Sequence, residues 1–232
     1  MKNILLIGGS YGMGLAIAKE LHNGNKVFVA SRTYENLNDL NVTYIPFDAL
    51  TDTLDTTQLP EVIDGLVYCP GSINLRPFRG LKIDAFESDM QINFISLVKV
   101  IQTVLPNLSA SNQSSIVLFS SVAASMGMPF HTSIAAAKGA IEGFAKALAA
   151  EYAPKIRVNV IAPSLTDTPL ADKFLNSDLK KEKSAERHPL KKVGTSEDMA
   201  QMACFLLSEK SSWISGQIFH VDGGMSTLLV NG

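Results

Sequence analysis

The chain of 232 residues has little cysteine and little net charge. Its two cysteines, Cys69 and Cys204, cannot form a disulfide framework, and this usage is typical of a reducing compartment. The formal net charge of −2 leaves no basic excess to attract nucleic acid or an anionic membrane. No uninterrupted apolar run reaches the ~20 residues of a membrane span. We therefore expect a cytoplasmic protein with neither nucleic acid nor membrane as a partner.

What the chain does have is enough apolar sequence for one large core, since 46% of its residues are hydrophobic and 18% are charged. Apolar runs alternate with segments of helical period, which favours a parallel sheet with helices on both faces. We predict one doubly wound α/β domain, of Rossmann type, with a mostly parallel sheet of about seven strands. The strand candidates are residues 3–7, 26–30, 42–46, 65–69, 115–119, 157–161 and 217–221. The helix candidates are residues 12–23, 85–105, 132–152 and, after a capped start at 195–198, 199–207.

A glycine-rich loop follows the first strand candidate and opens a helix, because residues 8–14 read G-G-S-Y-G-M-G. Glycine lets the backbone approach a ligand closely, and a helix start offers free N–H groups to a pyrophosphate. The position between a strand and a helix is the context that a dinucleotide site requires. The cofactor-binding candidates in this loop are Gly8, Ser10, Tyr11, Gly12, Met13 and Gly14.

The end of the second strand bears on the choice of dinucleotide. A site that prefers NAD(H) carries Asp or Glu there to bind the ribose 2′-hydroxyl. This chain carries Ser31 and Arg32, and an arginine can pair with the 2′-phosphate of NADP(H). The pattern favours NADP(H) over NAD(H). The alternative is that Arg32 is a solvated surface residue with no role in binding.

A second motif lies at residues 120–139, S-S-V-A-A-S-M-G-M-P-F-H-T-S-I-A-A-A-K-G. It resembles the active-site segment of the short-chain dehydrogenase/reductase family, in which a serine lies thirteen residues before a tyrosine and a lysine four residues after it. Ser121 and Lys138 occupy the matching places, and Asn93, in Q-I-N-F-I-S, matches the asparagine of the family. The place of the tyrosine is taken by Ile134.

The resemblance implies a role for each of these positions. In the family the tyrosine exchanges a proton with the substrate oxygen, and the serine, here Ser121, hydrogen-bonds that oxygen. The lysine, here Lys138, binds the nicotinamide ribose and lowers the pKa of the tyrosine, and the asparagine, here Asn93, holds a water of the proton path. Hydride addition to a carbonyl leaves negative charge on oxygen, which needs a proton or a stabilising donor. Ile134 cannot supply the proton.

The resemblance extends along nearly the whole chain. It places Gly8, Gly12 and Gly14 in the phosphate-binding pattern, and the final strand and its D-G-G tail also match. The altered segment V-Y-C-P-G, at residues 67–71, keeps only the glycine of the usual Asn-Asn-Ala-Gly. Further cofactor contacts implied by the resemblance are Asp48 beside the adenine, Gly71 beside the nicotinamide half, and Pro163 and Thr168 over the carboxamide.

Two replacements for the missing proton donor remain open at this stage. His131, three residues before Ile134, could titrate near neutral pH. Lys138 acting through a bound water is an equal alternative. The charged segment 169–189 is either a helical lid over the site or a solvated surface excursion.

The leading hypothesis is an NADP(H)-dependent oxidoreductase acting on a small organic molecule, with an atypical proton supply. Loss of acid catalysis typically slows a reaction by ~10²–10⁴-fold, and less for an iminium or an activated alkene. The alternatives are a catalytically silent NADP(H)-binding protein, such as a redox sensor or scaffold subunit, and a cofactor-assisted enzyme without redox chemistry. The resemblance also implies a homodimer or homotetramer built through the two long helices.

Overall fold

The computed structural model describes residues 1–230, which contain a parallel sheet of seven strands with the order β3-β2-β1-β4-β5-β6-β9. A separate short parallel pair is formed by β7 and β8. The strands are β1 (Asn3–Ile7), β2 (Lys26–Ser31), β3 (Val42–Pro46), β4 (Gly65–Tyr68), β5 (Ser114–Phe119), β6 (Ile156–Pro163), β7 (Thr166–Asp167), β8 (Gly194–Thr195) and β9 (Ile218–Val221). The prediction of a doubly wound parallel sheet is confirmed.

Seven α-helices accompany these strands in the described part of the chain. They are α1 (Gly12–Leu21), α2 (Ile83–Met90), α3 (Ser96–Ser109), α4 (Thr132–Tyr152), α5 (Asp172–Leu175), α6 (Asp178–Glu186) and α7 (Ser196–Leu207). The predicted start of α7 is confirmed as a capping box, in which Thr195 and Asp198 bond each other's backbone N–H groups.

The sheet is buried on both faces because successive strand residues point to opposite sides. In β1, Leu5 and Ile7 pack on the side of α3 and α4, whereas Ile4 and Leu6 pack on the side of α1 and α7. This explains why the strands read as apolar runs without strict alternation.

The strand order reverses at β1, which pairs with β2 on one side and β4 on the other. In a doubly wound sheet the loops leaving the carboxyl ends of the strands diverge at such a point and open a crevice. The glycine-rich loop after β1 and the loop after β4 therefore both border the same cleft.

The predicted helix at 85–105 is longer and is interrupted by a π-helical turn at Gln91–Ile95, between α2 and α3. Such turns often mark functional positions, and Asn93 lies in this one. The stretch Ile83–Ser109 is long and apolar enough to span a membrane by length and hydropathy alone. Leu97, Val100 and Ile101 of this stretch are buried in the core. A helix buried in a protein core can have the same length and hydropathy as a membrane span.

The segment 169–189 is helical over α5 and α6, and α6 buries none of its side chains. Its first residues, Pro169 and Leu170, line the cleft. The Lys173 ammonium donates a hydrogen bond of 2.9 Å to the carbonyl oxygen of Ile73, in the loop after β4. The segment therefore begins as one wall of the cleft and continues as a solvated helix.

Candidate active site

A cleft of about 890 Å³ opens at the carboxyl ends of the strands, where the strand order reverses. Most of the predicted cofactor contacts line it. They are Gly8, Ser10, Tyr11, Gly12, Met13, Gly14, Ser31, Arg32, Asp48, Gly71 and Thr168. Pro163 and Lys138 do not line it, and both are buried.

The glycine-rich loop has the geometry of a phosphate cradle. Gly8 and Gly12 have φ values of 78° and 51°, a region that favours glycine. A Cβ at Gly14 would lie 2.3 Å from the Gly8 carbonyl oxygen, so this position requires glycine for close packing of the loop on α1. No side chain caps the start of α1, which leaves its first N–H groups available to an anion.

The loop is also held by side chains that the sequence did not single out. The hydroxyls of Ser10 and Thr33 are 3.1 Å apart, and Asn36 Nδ2 donates to the Ser10 carbonyl at 3.1 Å. These bonds join the cradle to the segment after β2. The polar side chains of residues 31–36 were the one sequence signal for these hydrogen bonds.

Ser31 and Arg32 lie together at the end of β2 but differ in accessibility. Ser31 is buried, and its hydroxyl donates to the Thr33 carbonyl at 2.8 Å. Arg32 is exposed at the edge of the cleft, and within residues 1–230 its guanidinium has no hydrogen-bond or ion-pair partner. Asp48 is half-buried and accepts the Leu50 N–H at 2.9 Å, which fixes the turn after β3.

Gly71 joins the cleft to the catalytic candidates behind it. A Cβ at this position would lie 2.9 Å from Asn93 Oδ1 and 3.5 Å from Lys138 Nζ. Asn93 Oδ1 is buried, and none of the described residues donates a hydrogen bond to it. An orphaned buried acceptor is expected to bind water or a ligand.

Lys138 is held by the end of β5, where its ammonium donates to the Phe119 carbonyl at 2.9 Å. Burial lowers the pKa of this lysine to about 8, although the charges of Cys69 and Asp89 oppose that shift. Lys138 is therefore a cation that can release a proton near neutral pH.

Ser121 is half-buried, and its Oγ accepts the Ala123 N–H at 3.2 Å. Within the described chain, its hydroxyl proton has no acceptor. The neighbouring Ser120 is buried, and its hydroxyl donates to Glu142 at 2.6 Å. Of this pair, Ser121 is the one whose hydroxyl remains free for a ligand.

Ile134 is buried, with 5% of its surface exposed, in the first turn of α4. The hydroxyl of Tyr68 donates to the Ile92 carbonyl at 2.8 Å, and burial raises the pKa of Tyr68, so it is a poor proton donor.

His131, the other suggested donor, is half-buried at the N-cap of α4 and does not line the cleft. Its Nδ1 lies 2.7 Å from the Pro129 carbonyl, which only accepts, so Nδ1 carries the ring proton. The geometry thus brings Asn93, Lys138 and Gly71 together, whereas neither Ser121 nor His131 is among the residues that line the cleft.

The sequence reasoning missed a buried carboxylate in the wall of the cleft. Asp89 is fully buried and accepts hydrogen bonds from Ser72 Oγ at 2.5 Å, from Asn74 Nδ2 at 2.7 Å and from the hydroxyl of Ser133. Asn93 Nδ2 donates to Ser72 Oγ at 2.9 Å, which connects this cluster to the catalytic candidates. One sequence signal was present, since Asp89 precedes Asn93 by one helical turn on the same face.

Comparison with known proteins agrees with this geometry. A family model described as Enoyl-(Acyl carrier protein) reductase matches residues 46–226. The 3-oxoacyl-[acyl-carrier-protein] reductase FabG of Chlamydia trachomatis is 32% identical over 243 residues, which cover 97% of each chain. The chain belongs to the short-chain dehydrogenase/reductase family.

Two other members of the family are informative. The inactive 2-(S)-hydroxypropyl-CoM dehydrogenase 2 of Xanthobacter autotrophicus is 32% identical over 171 residues, covering 72% of this chain and 74% of its own. The structure of ElxO with NADP bound has a TM-score of 0.86 and 25% identity, and covers 98% of this chain and all of that one. The short-chain fold thus occurs both in a relative named inactive and in a structure with NADP bound.

Membership of the short-chain family makes the chain an oxidoreductase by type, and its cleft fits a dinucleotide. The glycine cradle, the uncapped start of α1 and the orphaned Asn93 oxygen are all in place. In this chain Ile134 stands at the start of α4, and the buried carboxylate of Asp89 accepts a hydrogen bond from the preceding residue, Ser133.

Proposed function

We propose that this short-chain protein is an NADP(H)-dependent oxidoreductase that acts on a small organic molecule without a catalytic tyrosine. The observation that carries the proposal is that Asn93 Oδ1 and Lys138 Nζ both face the backbone of Gly71, in the wall of the cleft. The polar groups that serve the tyrosine in the family are thus retained although the tyrosine is absent.

The preference for NADP(H) rests on Arg32. Its exposed guanidinium stands at the end of β2 on the edge of the cleft and is unpaired within residues 1–230. A free guanidinium in that place can bind a 2′-phosphate through charge-assisted hydrogen bonds. A carboxylate, which NAD(H) would favour, is missing from this strand end.

The dinucleotide supplies a hydride when bound, and the protein must orient the acceptor and supply any proton that is needed. Ser121, whose hydroxyl is free, would donate a hydrogen bond to the substrate oxygen. Lys138, with its pKa lowered to about 8, would release a proton through a water bound at Asn93 Oδ1. This path takes preference over His131 because Asn93 and Lys138 both contact the position of Gly71, which lines the cleft, and His131 is not among the atoms nearest to it.

One observation favours a second candidate function, that of a silent NADP(H)-binding protein. Ile134 packs as an ordinary apolar residue at the start of α4, and one relative that is 32% identical is named inactive. Such a protein would bind the dinucleotide and catalyse no hydride transfer.

A binding and turnover experiment separates the two. NADPH binding is measured by fluorescence titration, and NADPH oxidation is followed with a panel of small ketones, aldehydes and imines. We expect the wild-type protein to bind NADPH and to oxidise it with at least one compound, and Ser121→Ala to bind NADPH equally but to lose turnover. Binding without turnover on the whole panel would favour the silent protein.

We also propose a cytoplasmic homodimer or homotetramer. Gly139 and Gly143 on α4 have open space where a Cβ would stand, so this helix face has room for close approach of a second chain. Sedimentation of the purified protein would test the assembly.

A further inference from the structure

Asp89 places a negative charge in the wall of the substrate cleft. Its carboxylate lies between three elements: α2, the loop after β4 and the first turn of α4. Oδ1 accepts from Ser72 and Asn74, and Oδ2 accepts from Ser133, so three of about four acceptor positions are filled within the described chain. Because all three partners donate, they fix the orientation of the carboxylate.

This charge is close to the position of the missing tyrosine. Ser133, which donates to Asp89, directly precedes Ile134 in the chain. Asp89, Ser72 and Asn74 all line the cleft. A molecule bound against this wall therefore meets the Asp89 carboxylate and, at position 134, no acid, while the charge of Asp89 also acts on the Lys138 ammonium near Gly71.

The two features make a carbonyl a poorer substrate than an iminium, because a carbonyl depends on Lys138 for the proton that position 134 does not supply. Hydride addition to a carbonyl builds negative charge on oxygen, which a nearby carboxylate opposes and Ile134 cannot neutralise. An iminium group carries a positive charge that a carboxylate favours in a desolvated site. Its carbon accepts a hydride without taking up a proton.

From these features, and relying on the proposed oxidoreductase function, we infer that Asp89 makes the cleft selective for substrates with a protonated C=N group over ketones of the same shape. In the reaction the iminium carbon forms a new C–H bond with the hydride. The π electrons of the C=N bond become the lone pair of the amine nitrogen, and the dinucleotide is left oxidised. Atoms and charge balance with no added proton. The absence of a proton donor at position 134 therefore lowers the rate of this reaction little.

The variant that tests the inference is Asp89→Asn, which removes the charge and keeps the shape. An amide oxygen still accepts from Ser72 and Asn74, and the amide nitrogen can donate to Ser133. The matched control is Glu87→Gln, because Glu87 is an exposed carboxylate on the same helix that also lines the cleft. Thermal melting and NADPH affinity check that both variants are folded.

The first measurement compares kcat/KM for cyclic five- and six-membered imines with that for ketones of the same carbon skeleton. We expect the wild-type protein to favour the imine by about tenfold or more, since a nearby opposite charge shifts an ionisation by a unit or more. Asp89→Asn should lose that ratio at unchanged NADPH affinity, and Glu87→Gln should keep it. A ketone preference in the wild type, or an unchanged ratio in Asp89→Asn, overturns the inference.

The second measurement does not depend on turnover. It compares the dissociation constants of the product amines and of the matched alcohols in the presence of NADP⁺. The inference is supported if the wild-type protein binds the amine more tightly than the alcohol and if Asp89→Asn removes this difference. Equal binding of amine and alcohol by the wild-type protein overturns it. If amines bind in this Asp89-dependent way but nothing on the panel is reduced, the proposed oxidoreductase function fails while the charge selection stands.

Discussion

The ammonium of Lys138 donates a hydrogen bond of 2.9 Å to the carbonyl oxygen of Phe119, at the end of β5 and two residues before Ser121. This bond connects α4 to the end of β5, so Lys138 is anchored at Phe119, two residues from Ser121 in the chain. It also keeps a buried lysine facing Gly71 and the orphaned oxygen of Asn93.

The first prediction concerns pH. Burial lowers the pKa of Lys138 to about 8, so the ammonium is present below pH 8 and is lost as the pH rises above it. If Lys138 supplies the proton for carbonyl reduction, kcat/KM should be constant below about pH 8 and then fall by about tenfold per pH unit. A steady-state pH profile with a ketone checks this, and a flat profile to pH 10 would exclude Lys138 as the acid.

The same lysine should contribute to cofactor binding. Lys138→Ala should weaken the binding of NADP(H), whereas Lys146→Ala, at an exposed position on the same helix, should leave it unchanged. Unchanged affinity in Lys138→Ala, measured by fluorescence titration, would refute the assignment to the ribose.

The second prediction restores the missing phenol. Ile134→Tyr should raise ketone reduction by about tenfold or more, because acid catalysis typically contributes ~10²–10⁴-fold and the site around Lys138 is retained. Ile134→Phe is the control, since it adds the ring without the hydroxyl. Equal rates in the two variants, with folding verified by circular dichroism, would mean that position 134 no longer faces the substrate.

The third prediction concerns the cofactor preference. Arg32→Ala should weaken NADPH binding by about tenfold or more, the effect of losing a charge-assisted contact, and should change NADH binding little. Arg79→Ala, an exposed arginine outside the cleft, serves as the control. Parallel loss of both dinucleotides in Arg32→Ala would argue against a contact with the 2′-phosphate.

The fourth prediction concerns the fold around the cradle. A Cβ at Gly14 would lie 2.3 Å from the Gly8 carbonyl oxygen, so Gly14→Ala should lower the free energy of unfolding by roughly 1–3 kcal/mol. Gly24→Ala has open space for the methyl group and should be nearly neutral. Urea unfolding of both variants measures the difference, and equal stability would show that the loop adapts easily.

The sequence was enough for the fold because its signals are local. Buried strands read as apolar runs, and the glycines at positions 8, 12 and 14 mark the turn from β1 into α1, so sheet and cradle could be predicted together. The π-helical turn around Asn93 could not be predicted, because the apolar residues of this segment keep a helical period through the turn.

The Asp89 cluster could not be predicted because it joins residues far apart in the chain. Ser72, Asn74 and Ser133 look like ordinary loop and helix-start residues until the fold brings them to one carboxylate. The same applies to Tyr68, whose hydroxyl donates to the Ile92 carbonyl. Side-chain direction depends on packing, which a single sequence does not display.

The proposed function requires that this protein transfers hydride although Ile134 stands in the place of the tyrosine. The most direct test is to incubate the protein with 4-deuterated NADPH and a small-molecule extract, with Ser121→Ala as the control, and to follow deuterium by mass spectrometry. We expect deuterium from one face of the nicotinamide to enter a product, and this transfer to disappear in Ser121→Ala. No transfer by wild-type protein that demonstrably binds NADPH, or equal transfer by both proteins, would contradict the account.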